Sequence, residues 1–321
     1  MFESLKLTEG YIARHTPVGS GAPGREAAII DIGQDLLLAY LAEAGLMSAV
    51  ALKGGTAIRK LYAGKEGRFS LDLDFAIDDA DAQLEDKAFD FISEIDGLQI
   101  GPFSYSVSER RGKWYIGLSS PFNEGDLFKT KLDFAAFPWL PPLCREIVKL
   151  PIHEQYGSVL PAINTVRLEE NMAEKIARLN RTNTARDLYD LNWIMENPVV
   201  SSAVDKQLLR RLAVLKIWVD SNGMHFGNVW WRPAHAPSVF DPDKWLNDRD
   251  SKSVDTEDIG TLAVPTPSAE EMLEKLKVNF EFLKDLDDAE TIISRSNGRD
   301  RSLVIKFLTE LPGGRLKTGL Y

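Results

Sequence analysis

Cysteine is nearly absent from this chain: 321 residues contain one, Cys144. No intrachain disulfide is available, and that fits a reducing compartment. Long apolar runs are missing as well, and none approaches the ~20 residues of a membrane-spanning helix. The opening stretch, MFESLKLTEGYIARH, has no apolar core of a signal peptide. Together these absences predict a soluble cytoplasmic protein with no disulfide partner. Histidine is scarce, and His15, His153, His225 and His235 form neither an HExxH pair nor a Cys/His spacing, which argues against a zinc site. The chain has no G-x-S-x-G elbow of a serine hydrolase. No G-x-G-x-x-G follows a strand, so a dinucleotide fold lacks support. Positive charge is in deficit: 38 Lys and Arg against 48 Asp and Glu leave a net charge of −10. A surface that binds nucleic acid everywhere is excluded, though a local basic patch is not.

What is present is the composition of a globular protein, 44% hydrophobic and 27% charged, long enough for one large or two ordinary domains. Residues 1–24 read as an irregular lead-in ending in the cluster PVGSGAPG. Apolar residues at helical spacing predict a helix over Arg25–Ala44. Short strands are expected at Ser48–Leu52 and Leu71–Ile77, and a further helix at Leu84–Ile95. Strands then dominate at Leu98–Glu109, Trp114–Ser119 and Phe128–Phe137, with one more returning in Val159–Arg167. From Leu168 onward the pattern is helical. Residues 1–167 and 168–321 are the expected domains.

The chemistry concentrates in Leu52–Ile77, LKGGTAIRKLYAGKEGRFSLDLDFAI. Gly54 and Gly55, followed by Thr56, open a helix whose unpaired backbone N–H groups suit an anion. Asp72 and Asp74 alternate on a strand, so they share one face about 7 Å apart. Two carboxylates at that pitch suit divalent ions beside a triphosphate. An ordinary strand–turn–helix joint with two solvated aspartates would have the same sequence. Asp133 lies between Leu132 and Phe134 in a later strand; it is either exposed on an uncovered face or poised beside Asp72 and Asp74.

In the helical half, Asn171, Lys175 and Arg178 share a face beside the apolar stripe Leu168, Met172, Ile176 and Leu179. Thr184-x-x-Asp187 has the form of a capping box, and Arg186 with Asp190 that of a surface ion pair. Residues 222–267, rich in Pro, Asp, Asn, Trp and Gly, form an excursion without clear periodicity. A basic cluster follows it: Arg295, Arg299, Arg301, Lys306, Arg315 and Lys317.

The combination LKGGTAIRKLY, RFSLDLDFAI and EKIARLNRTNTARDLYDL resembles the AbiEii/AbiGii toxin family, nucleotidyltransferase-like toxins of type IV toxin–antitoxin and abortive-infection systems. The family pattern falls on Gly54-Gly55-Thr56, on Ser70, Asp72 and Asp74, on Lys175, and on Arg186, Asp187 and Asp190. The resemblance implies an α+β fold: a DNA-polymerase-β-like core with a mixed sheet, followed by a helical C-terminal domain. It implies transfer of a nucleoside monophosphate from an NTP to an RNA acceptor, the 3′ end of tRNA in several relatives, and a cognate antitoxin. By the same resemblance, Asp72 and Asp74 would hold Mg²⁺ with Asp133 as a third carboxylate. Gly54, Gly55, Thr56 and Ser70 would cradle phosphate, Lys175 would meet the β- and γ-phosphates, Asp187 would orient Lys175 or the nucleotide, and Asp190 would be structural. Arg59, Lys60, Lys65 and Arg68, with the C-terminal basic cluster, are candidates for an RNA path. The alternatives are a nucleotide-binding toxin without transfer, and a transferase acting on a protein or small molecule.

Overall fold

The computed structural model describes residues 5–78, 84–135, 138–222, 224–225, 230–231, 240–296, 301–313 and 315. It divides into two compact units, one formed by residues 1–137, 142–165 and 260–265, the other by 138–141, 166–259 and 266–321.

The first unit is an eight-stranded mixed sheet with helices. In chain order its strands are β1 (Val50–Lys53), β2 (Asp72–Ile77), β3 (Gln99–Ile100), β4 (Phe103–Arg110), β5 (Lys113–Ser119), β6 (Phe128–Ala135), β7 (Leu143–Arg145) and β8 (Ile163–Thr165). Their spatial order is β3-β4-β5-β6-β2-β1-β8-β7. β2 runs parallel to β6 and β1 parallel to β8, while the other pairs are antiparallel. The mixed α/β class expected from sequence is therefore the class observed.

Two helices, α1 (Glu9–His15) and α2 (Gly21–Glu43), precede β1. Much of the stretch expected to be an irregular lead-in is thus helical. The Gly21–Gly24 half of the Gly/Pro cluster forms the first turn of α2, where Pro23 lacks an N–H that the helix would leave unpaired anyway. Further along, α2 is apolar nearly all round, and Ile29, Ile30, Ile32, Leu36, Leu37, Leu38 and Leu41 are all buried. A helix of that kind must be covered on every side. It joins one core with the sheet residues Leu73, Phe75, Ile116, Leu118 and Leu132. Phe91, on helix α4 (Leu84–Ile95), packs against Phe75 and Phe134 to extend the same core. The strand expected over Phe128–Phe137 is described as far as Ala135; residues 136 and 137 lie outside the described residues.

The alternation that turns Leu73, Phe75, Leu132 and the half-buried Phe134 toward the core sends Asp72, Asp74, Lys131 and Asp133 to the other face. Two registers then align them across strands: Asp72 with Lys131 and Asp74 with Asp133 in the β2–β6 pair. On the other side of β2, Lys53 of β1 stands opposite Asp74.

The second unit is helical: α5 (Leu168–Leu179), α6 (Ala185–Glu196), α7 (Pro198–Ser201), α8 (Lys206–Asn222), α9 (Pro242–Asn247), α10 (Ala269–Asn279), α11 (Asp288–Arg295) and α12 (Arg301–Thr309), with a two-stranded ribbon at Met224–His225 and Trp230–Trp231. The expected apolar stripe of α5 is buried at Leu168, Met172, Ile176 and Leu179. Trp245 of α9, within the Pro/Trp-rich excursion, is buried and donates its indole N–H to the Ile176 carbonyl at 3.2 Å. Of the C-terminal basic cluster, Arg299 and Lys317 lie outside the described residues.

Candidate active site

β1 passes into the short helix α3 (Gly54–Ile58) with no intervening loop, and the helix widens into a π-turn over Arg59–Ala63. Gly54 makes this junction possible. Its φ of +74° is unfavourable for a residue with a side chain, and a Cβ there would stand 2.5 Å from Asp74 Oδ2. Gly55 is needed for a separate reason. A Cβ on it would fall 2.3 Å from Arg68 Nη2 and 3.0 Å from Ser70 Oγ. The glycine pair is therefore a close backbone approach to one carboxylate and one guanidinium. Thr56 is buried, and its hydroxyl donates to the backbone carbonyl of Asp72, tying the turn to β2. Ser70 and Arg68 are buried beside it.

The carboxylates on this face are not balanced in charge. Burial, then the charge of Asp72, and more weakly that of Asp133, hold the Asp74 carboxyl above the ordinary carboxylate range, although Lys53 and Lys131 oppose them. Lys131 pairs with Asp133 two residues along the same strand. Partial burial works against the Lys131 ammonium, but the hydrogen bond and charge of Asp133, with Asp72 and Asp74, raise its pKa above the usual lysine value. Asp133 thus stands in register with Asp74 and already has a cationic partner.

The donor set of this face suits a hard divalent cation, since it offers carboxylate oxygens only. Among the described residues no three His, Cys, Asp or Glu side chains close into a ready-made cage. Mg²⁺ is commonly held by one or two carboxylates together with substrate phosphates. Asp72 and Asp74, with uncompensated repulsion between them, fit such an ion.

In the helical unit, Lys175 is buried on α5 between two carboxylates of α6. Its Nζ lies 3.0 Å from Asp187 Oδ1 and 2.9 Å from Asp190 Oδ2. Arg178, one turn on, reaches Asp187 Oδ2 at 3.4 Å. Burial penalises the Asp187 carboxylate, but the charges of Lys175 and Arg178, with hydrogen bonds from Lys175 and Thr184, bring its pKa down to about 2.

A match to the family model "Nucleotidyl transferase AbiEii toxin, Type IV TA system" covers residues 35–275. The chain belongs to this family. It is a nucleotidyltransferase, and the family is one of toxins from type IV toxin–antitoxin systems. Among solved structures it is similar to MenT4, a nucleotidyltransferase toxin from Mycobacterium tuberculosis H37Rv. The identity is 32% and the TM-score 0.78, over 95% of this chain and 99% of the other. Comparison with curated protein sequences gives no match. No helix among the described residues is long and apolar enough to cross a membrane.

Gly54, Gly55, Thr56, Ser70, Asp72, Asp74 and Asp133 come together around β2 of the sheet unit. Lys175 and Asp187 come together in the helical unit, and Asp190 shares Lys175 on equal terms. Three expectations are corrected. The Thr184 hydroxyl donates to the Asp187 carboxylate at 2.9 Å and accepts no backbone N–H of α6, so it is no capping box. Arg186 lies 3.6 Å from Asp258 instead of pairing with Asp190. Arg59 and Lys60 are buried against Asp31, and Arg68 is buried beside Gly55, so these three cannot line a surface path for RNA. Sequence reasoning also passed over the two lysines of the carboxylate face, Lys53 and Lys131. Lys131 was within its reach, because alternation alone puts it on the same face as Asp133.

Proposed function

We propose that this chain uses Mg²⁺ and an NTP to transfer a nucleoside monophosphate to an RNA acceptor, the 3′ end of tRNA, and so arrests translation until a cognate antitoxin intervenes. The observation that supports this best is the register that gathers Asp72, Asp74 and Asp133 on one sheet face, where burial and the neighbouring charges hold the Asp74 carboxyl above the ordinary range. A fold gains nothing in stability from crowding Asp72, Asp74 and Asp133 on one sheet face, whereas a site built to receive a cation with its triphosphate requires such crowding.

In this reading Asp72 and Asp74 hold the ion, and Asp133, paired with Lys131, sets the charge beside it. A bound divalent ion supplies charge neutralisation at the triphosphate and a lower pKa for the attacking hydroxyl. The Gly54-Gly55 turn, packed against Asp74 and Arg68, is the phosphate cradle in this reading. Thr56 holds that turn at a fixed distance from Asp72, and Ser70 and Arg68 border it. The acceptor hydroxyl gives up its proton to solvent and its oxygen bonds to the α-phosphorus, while the α–β phosphoanhydride bond breaks and pyrophosphate leaves. Lys175, fixed between Asp187 and Asp190, serves the same reaction as the β/γ-phosphate cation.

Incubating the purified protein with each α-labelled NTP, Mg²⁺ and total tRNA tests the reading. Label should appear on tRNA and fall by about a hundredfold or more in Asp72→Asn. It should fall as far in the double variant Lys175→Met/Asp190→Asn, which removes one charge of each sign and so preserves the balance of the buried cluster. Label on protein, or none from any NTP, overturns the proposal.

A further inference from the structure

The carboxylate face continues across the sheet onto β6, β5 and β4, and there its character changes. Side chains alternate along β4, whose sequence FSYSVSER buries Phe103 and Tyr105 and leaves Ser104, Ser106, Ser108 and Arg110 exposed. The β4–β5 register sets Ser108 opposite Tyr115, Ser106 opposite Gly117 and Arg110 opposite Lys113. The β5–β6 register then sets Tyr115 opposite Lys131 and Gly117 opposite Lys129. From β6 the next strand is β2, with Asp72 opposite Lys131. One row therefore reads Ser108, Tyr115, Lys131, Asp72 across four strands, about 15 Å at the usual strand spacing.

On this face β4 and β5 present no carboxylate. Glu109 alternates to the opposite side, and the first acid met on the way to the site is Asp133. Arg110, Lys113 and Lys129 are exposed, and none has an ion pair among the described residues. In a chain of net charge −10, an acid-free band of cations, hydroxyls and one half-buried tyrosine ring is a local reversal. The half-exposed Leu127 side chain lies over Gly117 within it, and the band ends at the carboxylates proposed to hold the ion and triphosphate.

We infer that this face of β4–β5–β6 is the track for the single-stranded end of the RNA acceptor, with Tyr115 as a stacking platform and Arg110, Lys113 and Lys129 as phosphate contacts. The inference rests on the RNA acceptor proposed above. A flat sheet face with an aromatic ring and flanking cations is how proteins hold single-stranded nucleic acid with little demand on sequence. The serines fit the same use, since small hydroxyls hydrogen-bond phosphate and sugar without blocking the approach of the strand. An acidic segment of a protein partner would satisfy the cations but not the ring beside them.

The test uses the full-length protein and a short fluorescein-labelled single-stranded RNA, with affinity read by anisotropy over a salt series. The triple variant Arg110→Ser/Lys113→Ser/Lys129→Ser should bind the probe about tenfold or more weakly. Its slope of log affinity against log salt should be shallower by about 2, since each phosphate contact to a single strand contributes about 0.7. Tyr115→Ala should lose about tenfold, while Tyr115→Phe should bind like the wild type. Melting temperatures check that each variant is folded, and the KM for the tRNA acceptor should rise while that for the NTP stays. If the wild type labels tRNA and the triple variant does so with unchanged KM and salt slope, the track is wrong and the acceptor proposal stands. If the wild type neither binds the probe nor labels tRNA, the acceptor proposal falls and the track with it. Should the triple variant lose only a poly-glutamate probe, the face is a protein-docking site and the inference is overturned.

Discussion

Two pairs of aspartates in the sheet unit are alike in sequence and opposite in electrostatic balance. Asp31 and Asp35 stand one turn apart on α2, fully buried. Lys60 lies 2.6 Å from Asp31 and 2.7 Å from Asp35. Arg59 and His15 close on Asp31, at 3.3 and 2.8 Å, and His153 and Tyr156 on Asp35, at 3.2 and 2.8 Å. Burial penalises both carboxylates, but Lys60 and Arg59 at Asp31, and Lys60 and His153 at Asp35, outweigh it and bring both pKa values down. Asp72 and Asp74 alternate on β2, half-buried, and there burial and mutual repulsion prevail and Asp74 goes up. Both pairs are acid clusters near a basic residue. The first has its cations supplied by the fold, whereas the second is left short of them. That shortfall is what the proposed cation and triphosphate would relieve.

The comparison is tested most severely by removing a cation from the satisfied pair. Lys60→Met leaves Asp31 and Asp35 buried with one ammonium fewer, and the loss should be about 3–5 kcal/mol in a denaturant melt. Adding Asp35→Asn to that background should restore part of it, because one uncompensated charge is removed. A cost under about 1 kcal/mol would mean that the cluster is not what holds the π-turn to α2.

A smaller effect is expected in the helical unit, where Lys175 and Asp187 form the second satisfied cluster. The Asp187 pKa is brought down from 3.8 to about 2 in the folded protein. An acid with a depressed folded pKa stabilises the fold above its unfolded value and loses that contribution as pH falls through the folded value. The stabilisation is therefore complete above about pH 4 and disappears toward pH 2, with a size of about 2 kcal/mol. Asp187→Asn should flatten the stability profile in that window and leave its slope at neutral pH untouched. Equal acid profiles for the two proteins would show that Lys175 is balanced by Asp190 alone.

How much of this was legible in the sequence depends on the range of the interactions involved. Period-two alternation put Asp72 and Asp74 on one face, and helical spacing put Lys175 beside Arg178, because both are local properties of the backbone. The family motifs then joined pieces that are more than a hundred residues apart. Register is not local, and it is register that sets Lys131 beside Asp72 and Lys53 opposite Asp74. Nor could the sequence separate Arg59 and Lys60 from surface cations, since their burial depends on Asp31 and Asp35 of a helix nearly thirty residues earlier. The start of α2 was missed because Gly and Pro read as loop residues, although Pro23 in a first helical turn costs nothing. The acid-free face of β4 and β5 was in plain sight as alternating serines, but it acquires meaning only once β6 brings it beside β2.

The smallest change in stability is expected at Asp74, and it is the most informative because its sign should be reversed. In buffer with chelator, Asp74→Asn removes a charge that burial, Asp72 and Asp133 all disfavour. It should therefore melt at a temperature no lower than the wild type, in contrast to the losses at Lys60 and Asp187. The same substitution should abolish nucleotidyl transfer, since an amide is a poor ligand for a hard divalent ion. With Mg²⁺ and NTP added, the wild type should gain thermal stability by mass action and the variant should not. A variant that lost both transfer and stability in chelator would place Asp74 with Asp31 and Asp35 as a structural acid, and the distinction between the two pairs would fail. Unchanged stability with transfer gone would show that the repulsion on this sheet face is kept for the ligand, at a cost the fold bears elsewhere through its satisfied clusters.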